Sequence, residues 1–180
     1  MMLVDPQCTA LGIPDHLHTC KQAEDQEFEP TERLYRRHKL DDNKIKTAIT
    51  FNRMSVNRAK YCPNVGDILI NSKDGTRYEG FGVVAFTVKS VQSLQFSPEA
   101  ASGKSDTVYD AVVRHDIAKE PCNFSHTRVN GRQNGSEISE GSDLGNKTVR
   151  KELRHQIFQS VIKVIPVEQA GQNLEPRSWE

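Results

Sequence analysis

Several signatures that would name a chemistry outright are missing from the 180 residues. No CxxC pair occurs, so the usual zinc knuckle is absent. No glycine-rich fingerprint opens a helical pattern, which removes the phosphate loop and the dinucleotide motif. No stretch approaches the roughly 18 apolar residues of a membrane-spanning helix. The first residues, MMLVDPQCTALGIPDH, lack a basic leader and an apolar core, and Asp5 and Pro6 interrupt them, so no signal peptide is expected. Formal net charge is zero, which excludes a general nucleic-acid coat but leaves room for a local basic site. The four cysteines, Cys8, Cys20, Cys62 and Cys122, are scattered and do not read as a disulfide framework. A reducing cytoplasm is the setting expected from them. Hydrophobic residues make up 36% and charged residues 27%, a polar chain with enough apolar content for one folded domain.

What is present is a sorting of charge. Residues 33–60 carry nine Lys/Arg against two Asp/Glu, whereas residues 1–32 carry one basic and seven acidic side chains. The basic block predicts a surface for an anionic partner: a nucleic acid, a phosphate ligand or an acidic protein. Residues 1–30, punctuated by Pro6, Pro14 and Pro30, read as a flexible acidic arm that either stays solvated or folds over the basic block.

The body is expected over residues 31–166, with a polar tail from 167 to 180. LYRR reads as a strand, KLDDNK as a turn and TAITF as β-rich, while NRMSVNRAKY reads as a loop or a short helix. Apolar Ile68–Ile70 precedes a Lys73-Asp74-Gly75 turn, and Val83–Val91 reads as a buried strand. Residues 107–116 and 124–129 are further strands, and 130–146, rich in Gly, Asn and Ser, predict a long loop. Val149, Leu153, Ile157 and Val161 recur every four residues, which predicts a helix over about 148–163. The fold class is therefore α+β: a largely antiparallel sheet with one C-terminal helix packed on it.

Candidate site residues follow from chemistry. His115 and His126 bracket a turn that would bring two imidazoles close, and imidazole serves as acid or base near neutral pH. Cys122 lies between them, but a fourth ligand is missing and no metal site is assigned. Cys8, His16, His18 and Cys20 crowd potential ligands without a recognised closed spacing. Arg36 and Arg37 suit bidentate contact with phosphate or carboxylate, and as strand neighbours they point to opposite faces. Asn57 and Arg58 would complete a ligand-binding site with them, and Ser55 joins the two histidines as a catalytic candidate. No cofactor is indicated.

The pieces Tyr35-Arg36-Arg37, Phe51 to Val56, Gly82 to Phe86, His126 to Val129 and Val149 to Leu153 together resemble a family of small uncharacterised bacterial proteins. That resemblance implies that the polar positions form one site and carries no reaction with it. The leading expectation is a non-catalytic binding or accessory protein whose basic segment meets an anionic partner. The alternative is an enzyme acting on a nucleotide or its phosphate linkage, either similar to ADP-ribosyltransferases by fold-level analogy or a histidine-dependent hydrolase.

Overall fold

The computed structural model describes residues 4–20, 23–39, 49–51, 53–98, 107–138, 147–161 and 163–165. Its strands are β1 (Arg33–Lys39), β2 (Met54–Arg58), β3 (Phe81–Thr87), β4 (Gln95–Phe96), β5 (Tyr109–His115), β6 (His126–Gln133), β7 (Ser136–Glu137) and β8 (Lys163–Ile165). They form one eight-stranded sheet in the order β4-β5-β6-β2-β1-β3-β8, with β7 also paired to β6. Every pairing is antiparallel. The helices are α1 (Pro6–Ala10), α2 (Val88–Gln92) and α3 (Lys147–Gln159). This is the α+β class expected.

The two faces of the sheet are filled differently. Leu34, Met54, Val56, Val84, Phe86, Ala111, Val113 and Val129 alternate along their strands and share a core with Val149, Leu153 and Ile157 of α3. Those three helical residues are fully buried, as a stripe at three- and four-residue spacing requires. On the opposite face Tyr35, Val83 and Ala85 are covered by Cys62, Val65, Ile68 and Leu69.

The local expectations fail in five places, one of them at the C-terminal helix, which ends at Gln159 rather than 163 and is followed by β8 at Lys163–Ile165. Residues 54–58 form strand rather than loop or helix, because Met54 and Val56 alternate with Ser55 and Asn57 and the pleat separates apolar from polar. The apolar run 68–70, expected within the strand signal ahead of the Lys73-Asp74-Gly75 turn, falls instead at the end of a 3-10 turn, Val65–Leu69, whose apolar Val65, Ile68 and Leu69 have helical spacing. The strand from Phe81 ends at Thr87 rather than Val91, where the Thr87 hydroxyl accepts from the Ser90 backbone N–H and starts α2. The expected long loop after residue 129 begins as β6, and Asn134 and Gly135 turn it into β7 with φ of 49° and 78°. Residues 139–146, 166–180 and 40–48, the last holding most of the KLDDNK turn and the start of TAITF, fall outside the described residues.

The N-terminal segment also departs from a free arm. Cys8, Ile13 and Leu17 are buried together with Cys122, and Cys8 and Cys122 form a disulfide across 114 residues. Scattered spacing hid this bond, since it joins α1 to the loop between β5 and β6 that only the fold brings near. At Gly75, with φ of +74°, an added Cβ would lie 2.0 Å from the Leu11 carbonyl oxygen, so a glycine is required where the segment crosses that turn.

Two measurements check this packing. Leu153→Ala is expected to destabilise the fold by about 2–4 kcal/mol in denaturant unfolding. A cost under about half a kcal/mol is the size expected at the surface and would mean that the stripe faces solvent. Reduction of Cys8–Cys122, or Cys8→Ser, is expected to cost about 2–5 kcal/mol in the same assay.

Candidate functional site

Most of the sequence candidates meet where β2 lies against β6. Asn57 pairs with His126 and Ser55 with Arg128 in the ladder. Ser55 Oγ lies 2.8 Å from His126 Nε2, and His126 Nδ1 donates to the Asp116 carbonyl oxygen at 2.6 Å. The Glu120 carboxylate stands 3.9 Å from the same Nε2 and 3.5 Å from the Arg37 guanidinium. Asn123 Nδ2 donates to that carboxylate and to Asn57 Oδ1, which also accepts from the Ser125 hydroxyl. Asn57, Asn123, Ser125 and His126 are all buried, a concentration of satisfied polar groups that an ordinary core avoids.

The arginines expected to hold a ligand are largely committed inside the protein. Arg36 donates to the Ser55 carbonyl at 2.6 Å and to the Thr50 hydroxyl at 3.2 Å. Burial, and after it the charge of Arg37, pushes the Arg36 guanidinium down to about 10. Arg37 points to the other face, as a strand demands, where it donates to the Ile68 carbonyl and lies 4.3 Å from the Tyr78 ring centroid.

Arg58 has no exposed surface. Its guanidinium donates to both carboxylate oxygens of Glu32 at 2.8 Å and to the carbonyls of Asp25 and Glu27. The Phe28 ring covers it at 4.1 Å. The acidic segment therefore folds over one member of the basic block and occupies it. Tyr61 and Lys60 hydrogen-bond the Asp25 carboxylate. Burial acts to raise that carboxyl, but these bonds, the Glu27 N–H and the Arg58 charge outweigh it and hold it well below the usual carboxylate range.

His115 lies on the sheet face opposite His126, so the two imidazoles are not a pair; a residue opposite Thr127 in the ladder must point with it. Its Nδ1 accepts from the Asp25 N–H at 2.8 Å and its Nε2 therefore donates to the Phe124 carbonyl at 2.5 Å. The ring stacks on Tyr61 at 5.5 Å. The crowded ligand set near the N-terminus is dispersed: Cys8 is in the disulfide, His16 bonds Asp67, and His18 bonds the Ile13 carbonyl. Among the described residues no cluster of three potential ligands could hold a metal.

A second place was not foreseen. Lys147, Arg150, Lys151 and Arg154 line a cavity of about 390 Å³ with Thr50 and Phe51. Lys151 and Arg154 continue into a neighbouring cavity of about 250 Å³ with Glu152, His155 and Phe158. The four cations lie at positions i, i+3, i+4 and i+7 and so occupy one side of α3, away from Val149, Leu153 and Ile157. That spacing is legible in KTVRKELR once the apolar stripe sets the helix phase. No family model matches the chain, and no curated protein or solved structure matches it either.

Acid sensitivity follows from the Arg58 surroundings. Burial, opposed by the Phe124 carbonyl and reinforced by the Arg58 charge, holds the His115 imidazole below its ordinary value. A depressed group contributes stability that is complete above its unfolded value and lost as pH falls through the folded one. The urea midpoint is therefore expected to fall first below about pH 6.5, from His115, and again below about pH 4, from Asp25. A midpoint that stays flat between about pH 7 and pH 5 would show that His115 titrates as a free imidazole.

Proposed function

We propose that the protein is a binding module that holds the backbone of a single-stranded nucleic acid along the basic side of α3, with no chemical step at that surface. The observation that carries this is the larger cavity: four cations, one hydroxyl and one aromatic ring, with no carboxylate in its lining among the described residues. Seven residues of helix separate Lys147 from Arg154, about 10 Å along the axis, which spans more than a single phosphate. Phe51 at one cavity and Phe158 at the next offer faces on which bases stack, worth about 1–3 kcal/mol each in such grooves. An acidic protein would meet the charges without calling on the rings. A lone phosphate would use only part of the row.

The reading moves the anion surface from residues 33–60 as a whole to α3 with Thr50 and Phe51. Arg36 supports it from beneath through Thr50, while Arg37 and Arg58 serve the interior. No described helix is long and apolar enough to cross a membrane. The reducing cytoplasm expected from scattered cysteines loses its ground, because Cys8 and Cys122 pair and such bonds persist in oxidising settings.

Fluorescence anisotropy with a labelled oligothymidine tests the reading. Lys151→Glu with Arg154→Glu is expected to weaken binding at least about tenfold while circular dichroism stays unchanged, since each phosphate contact releases a counterion. The slope of log K against log salt should shrink by about 0.7 for each cation removed. Phe51→Ala should weaken binding without changing that slope. Equal affinity for polyglutamate would make the partner an acidic protein and overturn the nucleic-acid reading.

A further inference from the structure

We propose that Ser55 and His126 are a nucleophile and its general base, giving the protein an esterase-type acyl-transfer activity on small carboxylic esters. This goes beyond nucleic-acid binding and uses none of the α3 groove. The tautomer settles the direction of the hydrogen bond. A backbone carbonyl only accepts, so the 2.6 Å contact with the Asp116 oxygen places the imidazole proton on Nδ1. Nε2 is then left with a lone pair, and at 2.8 Å it accepts the Ser55 hydroxyl proton. This is the arrangement of an activated serine: base bonded to nucleophile, and a third group orienting the base.

Exposure divides the roles. The His126 side chain is 3% exposed, so its ring is held in place, whereas Ser55 is half-buried. The Asp116 carboxylate is taken by Arg128 Nε at 2.7 Å, which holds the loop carbonyl in position. Glu120, 3.9 Å from Nε2, favours the imidazolium that forms when the proton arrives. Arg128 lies opposite Ser55 in the ladder, with its guanidinium bonded to Asp116, and Arg37 is held by Glu120 on the far side of the imidazole.

In the first step Ser55 Oγ bonds the ester carbonyl carbon, its proton passes to His126 Nε2, and the carbonyl π pair moves onto oxygen. The tetrahedral adduct collapses, the carbon–alkoxide bond breaks, and the leaving alkoxide takes the proton from Nε2. Water, giving its proton to Nε2, then attacks the acyl-serine. Collapse releases the carboxylic acid and returns the proton to Ser55.

The test is covalent labelling of the full-length protein with a fluorophosphonate, followed by peptide mapping. The expected result is an adduct on Ser55 with loss of fluoride, absent in Ser55→Ala. His126→Gln should slow labelling by at least about 100-fold, the low end for a general base. Hydrolysis of p-nitrophenyl acetate should be lost in parallel. Circular dichroism of each variant establishes that it is folded. No adduct on Ser55 in the native protein, or labelling as fast in folded His126→Gln as in the native chain, overturns the proposal.

Discussion

Arg58 is a guanidinium with no exposed surface at the end of a central strand, and an unpaired charge there would cost several kcal/mol. The acidic segment exists in its observed path because it must answer that charge. Glu32 gives a bidentate carboxylate, Asp25 and Glu27 give carbonyls, and Phe28 lays a ring across the group. From this centre the constraint spreads. The Asp25 N–H fixes the His115 tautomer, Gln26 brackets the His115 backbone on both sides, and Tyr61 stacks on the ring. Glu32 and Pro30 carbonyls accept the first N–H groups of α2. Strap, sheet and helix are thus joined through one cation.

Segregation of charge along the chain reads differently once the fold is known. The acidic residues before position 33 and the basic block after it are internal complements as much as external signals. Arg58 and Lys60 find partners in the segment that precedes β1, and Arg37 finds Glu120. The row on α3, proposed as the surface for an outside anion, lies in a region whose net charge is less conspicuous because Glu152 and buried apolar residues are interleaved with the cations. The polar centre between β2 and β6 follows another logic. There, hydrogen bonds are completed within the protein, and the Ser55 hydroxyl is the half-buried outlet of an otherwise buried network.

Alternation and helical spacing are properties of neighbouring residues, so the sequence by itself determined β1, β5, the buried stripe of α3 and the α+β class. It also determined that Arg36 and Arg37 would part to opposite faces, because the pleat makes that independent of context. Tertiary structure decided whatever depends on pairs far apart in the chain. Ser55 meets His126, and Cys8 meets Cys122, only because β2 lies beside β6 and the N-terminal segment crosses the loop before it. His115 and His126, close in sequence, are separated because an antiparallel ladder assigns each position to one face. Whether an arginine is buried or offered to a ligand was likewise undecidable from its type, since solvation depends on what the rest of the chain places over it.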